Sequence, residues 1–378
     1  MRDGLVRAAF EIVGIRLSEQ AGQDLETELR QVQVLLADYD LAQVIHTVYG
    51  ADAAGRYVDL RLDQAFGDVW MPDHDTSGLA HRLDLDTHAR AKDLEREILI
   101  TMLGGPLPFV FPCAAELASA MHIRRNIVQA GRQTVLAFDT EGAERPEDYW
   151  TYTQASGFTV RPGQSIIAAL KKATQPGSGR RYSFSCYRAT EYVILLGLAQ
   201  ELARCHPALL AALQRQWESR AIMSGEFHDV FLHEYGSHDA PLPFQYYVPG
   251  DRLWFRNPDE PSASVEGYEG SWVMYLGEGL FTNFWKPDEP YTLRRKCIEL
   301  YHWRHALRED ARGHPYIDED VVEARVQESL QDPVAANAIL ARMRRVRDPL
   351  GVYGDGGCID ATREYVRCVH AGLPGLVL

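Results

Sequence analysis

The chain reads as an α+β protein in which a long helix packs on an antiparallel sheet, with helical additions at both ends. Three observations predict this. A turn-rich stretch, Thr174-Gln175-Pro176-Gly177-Ser178-Gly179, leads to Cys186 and then to an apolar run over residues 192–202. A second helical pattern follows at residues 207–221, and strand-like runs come after it at 245–248, 252–256 and 271–276. Runs of helix followed by runs of strand favour a helix on an antiparallel sheet over alternating βαβ units.

From the N-terminus, apolar residues recur at helical spacing over residues 5–48 and again over 90–103, so the first part predicts a mainly helical region, residues 1–132. Between these stretches Tyr57-Val58-Asp59-Leu60-Arg61-Leu62 alternates as a strand does, and Met71-Pro72-Asp73-His74-Asp75 is a turn cluster. A helical stretch at 114–129 and a strand at 134–138 follow, with a soft boundary near residues 104–132. Residues 133–290 carry the mixed signals of one domain. Residues 291–378 predict a helical C-terminal extension, through 292–307 and 319–347.

Composition excludes several classes. The formal charge of -14 leaves no basic face for nucleic acid or an anionic membrane surface. The short basic runs, Arg294-Arg295-Lys296 and residues 342–347, have the spacing of solvated helix faces. No stretch approaches the roughly 20 apolar residues of a membrane span. The six cysteines stand singly without C-x-x-C spacing, as in a reduced, intracellular chain. Charges interrupt the N-terminal apolar pattern, so no signal peptide is expected and synthesis in the cytoplasm is. Any export would follow a route that the sequence does not display.

Cys186 is the leading candidate for chemistry. A thiol at a helix N-terminus meets unpaired amides and the positive end of the helix dipole, which favour the thiolate. Around it lie ordered blocks: Ala137-Phe138-Asp139-Thr140; Arg145-Pro146-Glu147-Asp148-Tyr149-Trp150; Gly157-Phe158-Thr159-Val160-Arg161-Pro162-Gly163 with Ser165, Ile166 and Ala169; and Tyr182-Ser183-Phe184-Ser185-Cys186 with Ala189 and Thr190. Pro249-Gly250-Asp251-Arg252-Leu253-Trp254-Phe255-Arg256-Asn257-Pro258 and Tyr275-Leu276-Gly277 complete the series. In this order they resemble the bacterial spore-coat type protein-glutamine γ-glutamyltransferases, small cysteine transglutaminases with a papain-related, NlpC/P60-like core. The resemblance covers residues 137–277 and marks 133–290 as the catalytic domain.

The resemblance implies a thiolate that attacks the γ-carboxamide of a protein glutamine, expels ammonia, and passes the thioester's acyl group to a lysine amine as an isopeptide crosslink. It implies no metal or organic cofactor, and partners that are proteins with accessible Gln and Lys. It also implies two glutamates, one just before the cysteine and one on the facing strand. Here Ser185 precedes Cys186, and alignment through Gly270 puts Ser271 at the facing position. Glu269 lies two residues away, and a shift of two preserves the face of a strand. Glu269 is therefore the candidate proton carrier, with Glu266, Glu278 and Glu191 in reserve. The family's downstream histidine has no counterpart in Phe281-Thr282-Asn283-Phe284-Trp285.

Other clusters are weaker. His228, His233 and His238, with Asp229 and Glu234, read as a polar loop, the alternative being that His228 or His233 acts as a Cys-His base. His74, His81 and His88, with Asp73, Asp84 and Asp86, fit a solvated face better than a metal site. Gly354-Asp355-Gly356-Gly357 lacks the Lys and Ser/Thr of a phosphate loop and reads as a turn. Trp254, Tyr268, Trp272, Tyr275 and Trp285 are either core or the lining of an acyl-acceptor tunnel. Three functions stay open: transglutaminase; glutamine deamidase, amidase or peptidase with the same cysteine; and a catalytically inactive protein-binding scaffold.

Overall fold

A computed structural model describes residues 11–20, 22–138, 142–177, 179–222, 225–348, 350–351, 353, 356–370 and 375–378. The start of the expected N-terminal helix, Asp139 and Thr140, and Gly354 and Asp355 lie outside them. The chain forms two compact units. One comprises Met1–Met121 with Gln245–Val248, and the other His122–Phe244 with Pro249–Leu378.

In the first unit, the helical spacing over residues 5–48 resolves into a strand, a helix and a strand. Leu25, Leu29, Val32 and Leu36 fall on one buried face of the helix Leu25–Asp38. Ile15 and Leu17 alternate with partly exposed residues, as a half-buried strand does. This unit carries a four-stranded sheet in the order Ile45–Asp52, Gly55–Leu62, Ile15–Ser18, Phe109–Phe111, antiparallel except for the last pair. The strand expected at 57–62 is part of it. The strand expected at 245–248 does not form. Thr76 supplies the partners instead: its hydroxyl donates to Tyr247 O (2.8 Å) and accepts from Tyr247 N (2.9 Å).

The second unit is built on a six-stranded antiparallel sheet. Its strands are β1 (Leu232–Tyr235), β2 (Arg252–Arg256), β3 (Gly270–Gly277), β4 (Leu280–Phe281), β5 (Tyr291–Thr292) and β6 (Arg363–Val366). Their spatial order is β5-β4-β3-β2-β6-β1. Helix α1 (Cys186–Cys205) packs along β3 and is buried from Ala189 to Ala199. A helix that is apolar on all sides belongs inside. Pro207, which cannot continue a helix, starts the next one, and His206 caps it by accepting from Leu209 N (2.9 Å). Phe184, Trp150 and Trp217 pack around Tyr192 of α1 in an aromatic cluster whose contacting ring centroids lie 5.0 to 6.4 Å apart.

Residues 291–378 belong to this second unit. After β5 come α2 (Leu293–Ala306), α3 (Glu319–Gln331) and α4 (Pro333–Met343). The single helix expected over 319–347 is broken at Asp332-Pro333. Proline removes a donor there, and the Asp332 carboxylate accepts from Val334 N (2.9 Å) and Ala335 N (3.2 Å), starting a new helix. No helix among the described residues is long and apolar enough to cross a membrane.

Candidate active site

The residues before Cys186 are fixed on both sides. Ser183–Phe184 pairs in parallel with Ala137–Phe138, and the buried Arg145 guanidinium lies 3.4 Å from the Phe184 ring centre while donating to Ser183 O (3.2 Å). Ser185 then caps α1, its hydroxyl accepting from Arg188 N (3.3 Å). Cys186 is thus the first residue of α1, as the sequence predicts. Burial pushes its thiol up from the ordinary value, the bonds from the Trp272 and Tyr187 backbone and the charge of Lys296 pull it down, and Glu269 adds to the rise. The net lowering expected from a helix N-terminus is reversed, because desolvation of the thiolate outweighs the dipole.

Cys186 borders two cavities. One, of about 360 Å³, is lined also by Ser185, Tyr187, Trp254, Glu269 and Trp272. Trp254 and Trp272 face each other across β2 and β3 and stack with rings 5.5 Å apart and 1° from parallel. Glu269 sits just before β3, exposed, with its carbonyl accepting from Asn257 N (3.0 Å). Glu266 is exposed on the same cavity. The other reserves lie elsewhere: Glu191 is buried and paired with Arg188, and Glu278 occupies the turn after β3 at φ 56°.

The second cavity, of about 300 Å³, is lined by Ser271, Asn283, Trp285, Tyr268 and Lys296 besides Cys186. Ser185 and Ser271, which stand where the resembling family has its two glutamates, therefore both flank Cys186, with neutral side chains. Of the aromatics, Trp254 and Trp272 line the first cavity and Tyr268 and Trp285 the second, while Tyr275 is fully buried core. Lys296 was not legible as a site residue in its basic run. It is 2% exposed, with Nζ 2.7 Å from Glu299 Oε1 and 4.0 Å from the Tyr291 ring centre. A signal was present, since Leu293, Lys296, Cys297 and Leu300 share one helical face and all are buried.

The histidines do not join Cys186. His228 Nδ1 lies 2.6 Å from Glu364 Oε1, and Glu364 also takes the Nε–H of Arg252, whose guanidinium stands 4.5 Å from the Trp272 ring centre and 4.9 Å from that of Tyr187. His228 thus faces Glu364, and His233 packs 5.6 Å from Tyr365; neither borders the cavities at Cys186. His74 is buried and bonded to Gly104 O (3.1 Å) instead of lying on a solvated face. Among the described residues no group of three or more His, Cys, Asp or Glu is arranged to hold a metal ion.

Gly270 borders both cavities, and a Cβ there would lie 2.2 Å from Trp254 Nε1 and 2.4 Å from Phe255 O. Gly270→Val is expected to displace the Trp254 ring and slow alkylation of Cys186 by a small reagent at least about tenfold, with a stability loss of about 1–3 kcal/mol. Peptide-resolved mass spectrometry over time reads the rate.

The family model for protein-glutamine gamma-glutamyltransferase matches residues 75–354. A protein-glutamine gamma-glutamyltransferase of Halalkalibacterium halodurans is 25% identical over 201 residues, covering 50% of this chain and 62% of that relative. One of Bacillus cereus strain AH187 is 25% identical over 197 residues, covering 50% and 64%. The match thus spans less than two thirds of these relatives' length. With the family model covering well over half of its residues, the chain belongs to the protein-glutamine gamma-glutamyltransferase family.

Proposed function

We propose that this chain is a cysteine-dependent protein-glutamine γ-glutamyltransferase with a papain-related, NlpC/P60-like core, Cys186 as nucleophile and Glu269 as proton carrier. The observation that carries the reading is that Cys186 opens onto two cavities, of about 360 and 300 Å³. A thioester formed from one side could be met by an amine from the other, with the bulky protein donor still in place.

In the first half-reaction the Cys186 sulfur bonds to the γ-carboxamide carbon, the C–N bond breaks, and the nitrogen leaves as ammonia with a proton delivered by Glu269. In the second, a lysine amine attacks the thioester carbon, gives a proton back to Glu269, and the C–S bond breaks to release the isopeptide and the thiolate. Glu269 is exposed and can exchange protons with water between the halves.

A second reading is favoured by one feature: among the described residues, no hydrogen bond joins Cys186 to a carboxylate or an imidazole. A family fold that binds proteins without turnover would have that geometry, although catalytic hydrogen bonds often tighten only with substrate bound. Intact mass of casein incubated with the protein, with and without a small primary amine, separates the readings. Amine-dependent mass gain is expected. Gains of about one mass unit per site without amine would indicate deamidation, in which water takes the thioester. Casein retained on the immobilised protein but unchanged in mass would indicate the scaffold.

A further inference from the structure

Ser185 and Ser271, where the resembling family carries its two glutamates, are neutral here, and a thiolate at the enclosed Cys186 needs a positive charge to stabilise it. The groups facing Cys186 from the first cavity are Tyr187, Glu266 and Glu269. Neither carboxylate can stabilise a thiolate, and the charge of Glu269 opposes one. From the second cavity come Tyr268, Tyr291, Glu299, Glu319 and Glu323, and three cations. Of the cations, Lys286 is exposed and Arg295 is paired with Glu323 (3.0 Å). Lys296 alone of the three is enclosed.

We propose that Lys296, fixed by Glu299 and the face of Tyr291, is the positioning residue whose buried ammonium sets the thiolate population of Cys186. The inference rests on Cys186 as the nucleophile. A charge in an enclosed, poorly solvated site acts over a longer range than one in water. Every other group against the Lys296 ammonium fits a standing cation. Glu299 pairs with it at 2.7 Å, Tyr291 presents its ring at 4.0 Å, and Tyr291 stays a neutral phenol because burial and then the Glu299 and Glu319 charges push it up. Cys358, whose Sγ is 3.6 Å from that of Cys297, is likewise kept protonated by its bond with Cys297 and by burial. The pairing with Glu299 also has a chemical purpose: an ammonium held in an ion pair does not compete with the incoming amine for the thioester.

The test is the rate of alkylation of Cys186 by iodoacetamide across a pH series, read at the Cys186 peptide by mass spectrometry in the full chain. Lys296→Met is expected to raise the pH midpoint by about one unit, a roughly tenfold slower reaction at any pH below it. Lys296→Arg, which keeps the charge, is expected to retain most of the wild-type profile. Glu299→Gln removes the counter-charge and is expected to move the midpoint the other way. An unchanged profile in Lys296→Met overturns the proposal, as does a shift of both the Met and the Gln variant in the same direction. Should Lys296→Met fail to fold, Glu299→Gln decides: a lower midpoint supports the proposal, and an unchanged or higher one overturns it. Because alkylation needs no protein substrate, its outcome is independent of whether casein is crosslinked.

Discussion

Cys186→Ala is expected to lower amine incorporation into casein by at least about a thousandfold, since removing the nucleophile of a covalent mechanism leaves only the binding contribution to rate. Folding should be nearly untouched. The residue is partly exposed, heads its helix without supplying the cap, and gives up one sulfur atom, so a stability change within about 1 kcal/mol is expected. Cys205 and Cys368 are also partly exposed, and Cys205→Ala and Cys368→Ala should keep wild-type activity. Time courses of labelled amine uptake check all three variants. Equal loss in all of them would point to general damage and would remove the special role of Cys186.

Glu364→Leu is expected to cost about 3–5 kcal/mol, a large part of the stability of an ordinary domain. The Arg252 side chain is 1% exposed and Glu364 is the acidic partner at its Nε. Leucine would leave that guanidinium enclosed against Tyr187 and Trp272 with its charge uncompensated. The cost lies in the orphaned ion more than in the lost pair, so Arg252→Met combined with Glu364→Leu should be clearly more stable than Glu364→Leu alone. Urea midpoints of the wild type, both single variants and the double variant give the coupling directly. Strict additivity would mean that the two residues act separately. Since Trp272 lines the Cys186 cavity, Glu364→Leu should also disturb alkylation there.

Much of this is legible in the amino-acid sequence. Cys186 heads its helix and β2 and β3 lie at the strand-like runs, because each rests on local signals: a turn, a cap, a run of strand-favouring residues. The signals failed where a partner distant in sequence decides. Residues 245–248 read as a strand-like run, yet Thr76 bonds to the backbone of Tyr247, a partner that no local pattern announces. The histidines at 228 and 233 sit between the matching blocks in sequence, but the pairing of β1 with β6 sets His233 opposite Tyr365, and His228, in the helix Gly225–Phe231, meets Glu364. Lys296 was hidden by its neighbours, since Arg294 beside it is exposed and the run looks solvated. The helical face it shares with Leu293, Cys297 and Leu300 held the information.

The order of the sheet also bears on how the chain is made. Among the described residues β1 pairs with β6 alone, and β6 lies between β1 and β2. During synthesis β2 and β3 can pair as soon as residue 277 is free, but the carboxylate that meets Arg252, that of Glu364, lies 112 residues beyond Arg252. Until then the nascent chain exposes an open edge on β2 and an unmatched β1, the kind of surface that invites wrong pairing with another chain. One late strand, β6, therefore closes the sheet and brings Glu364 to the Arg252 that packs against Trp272.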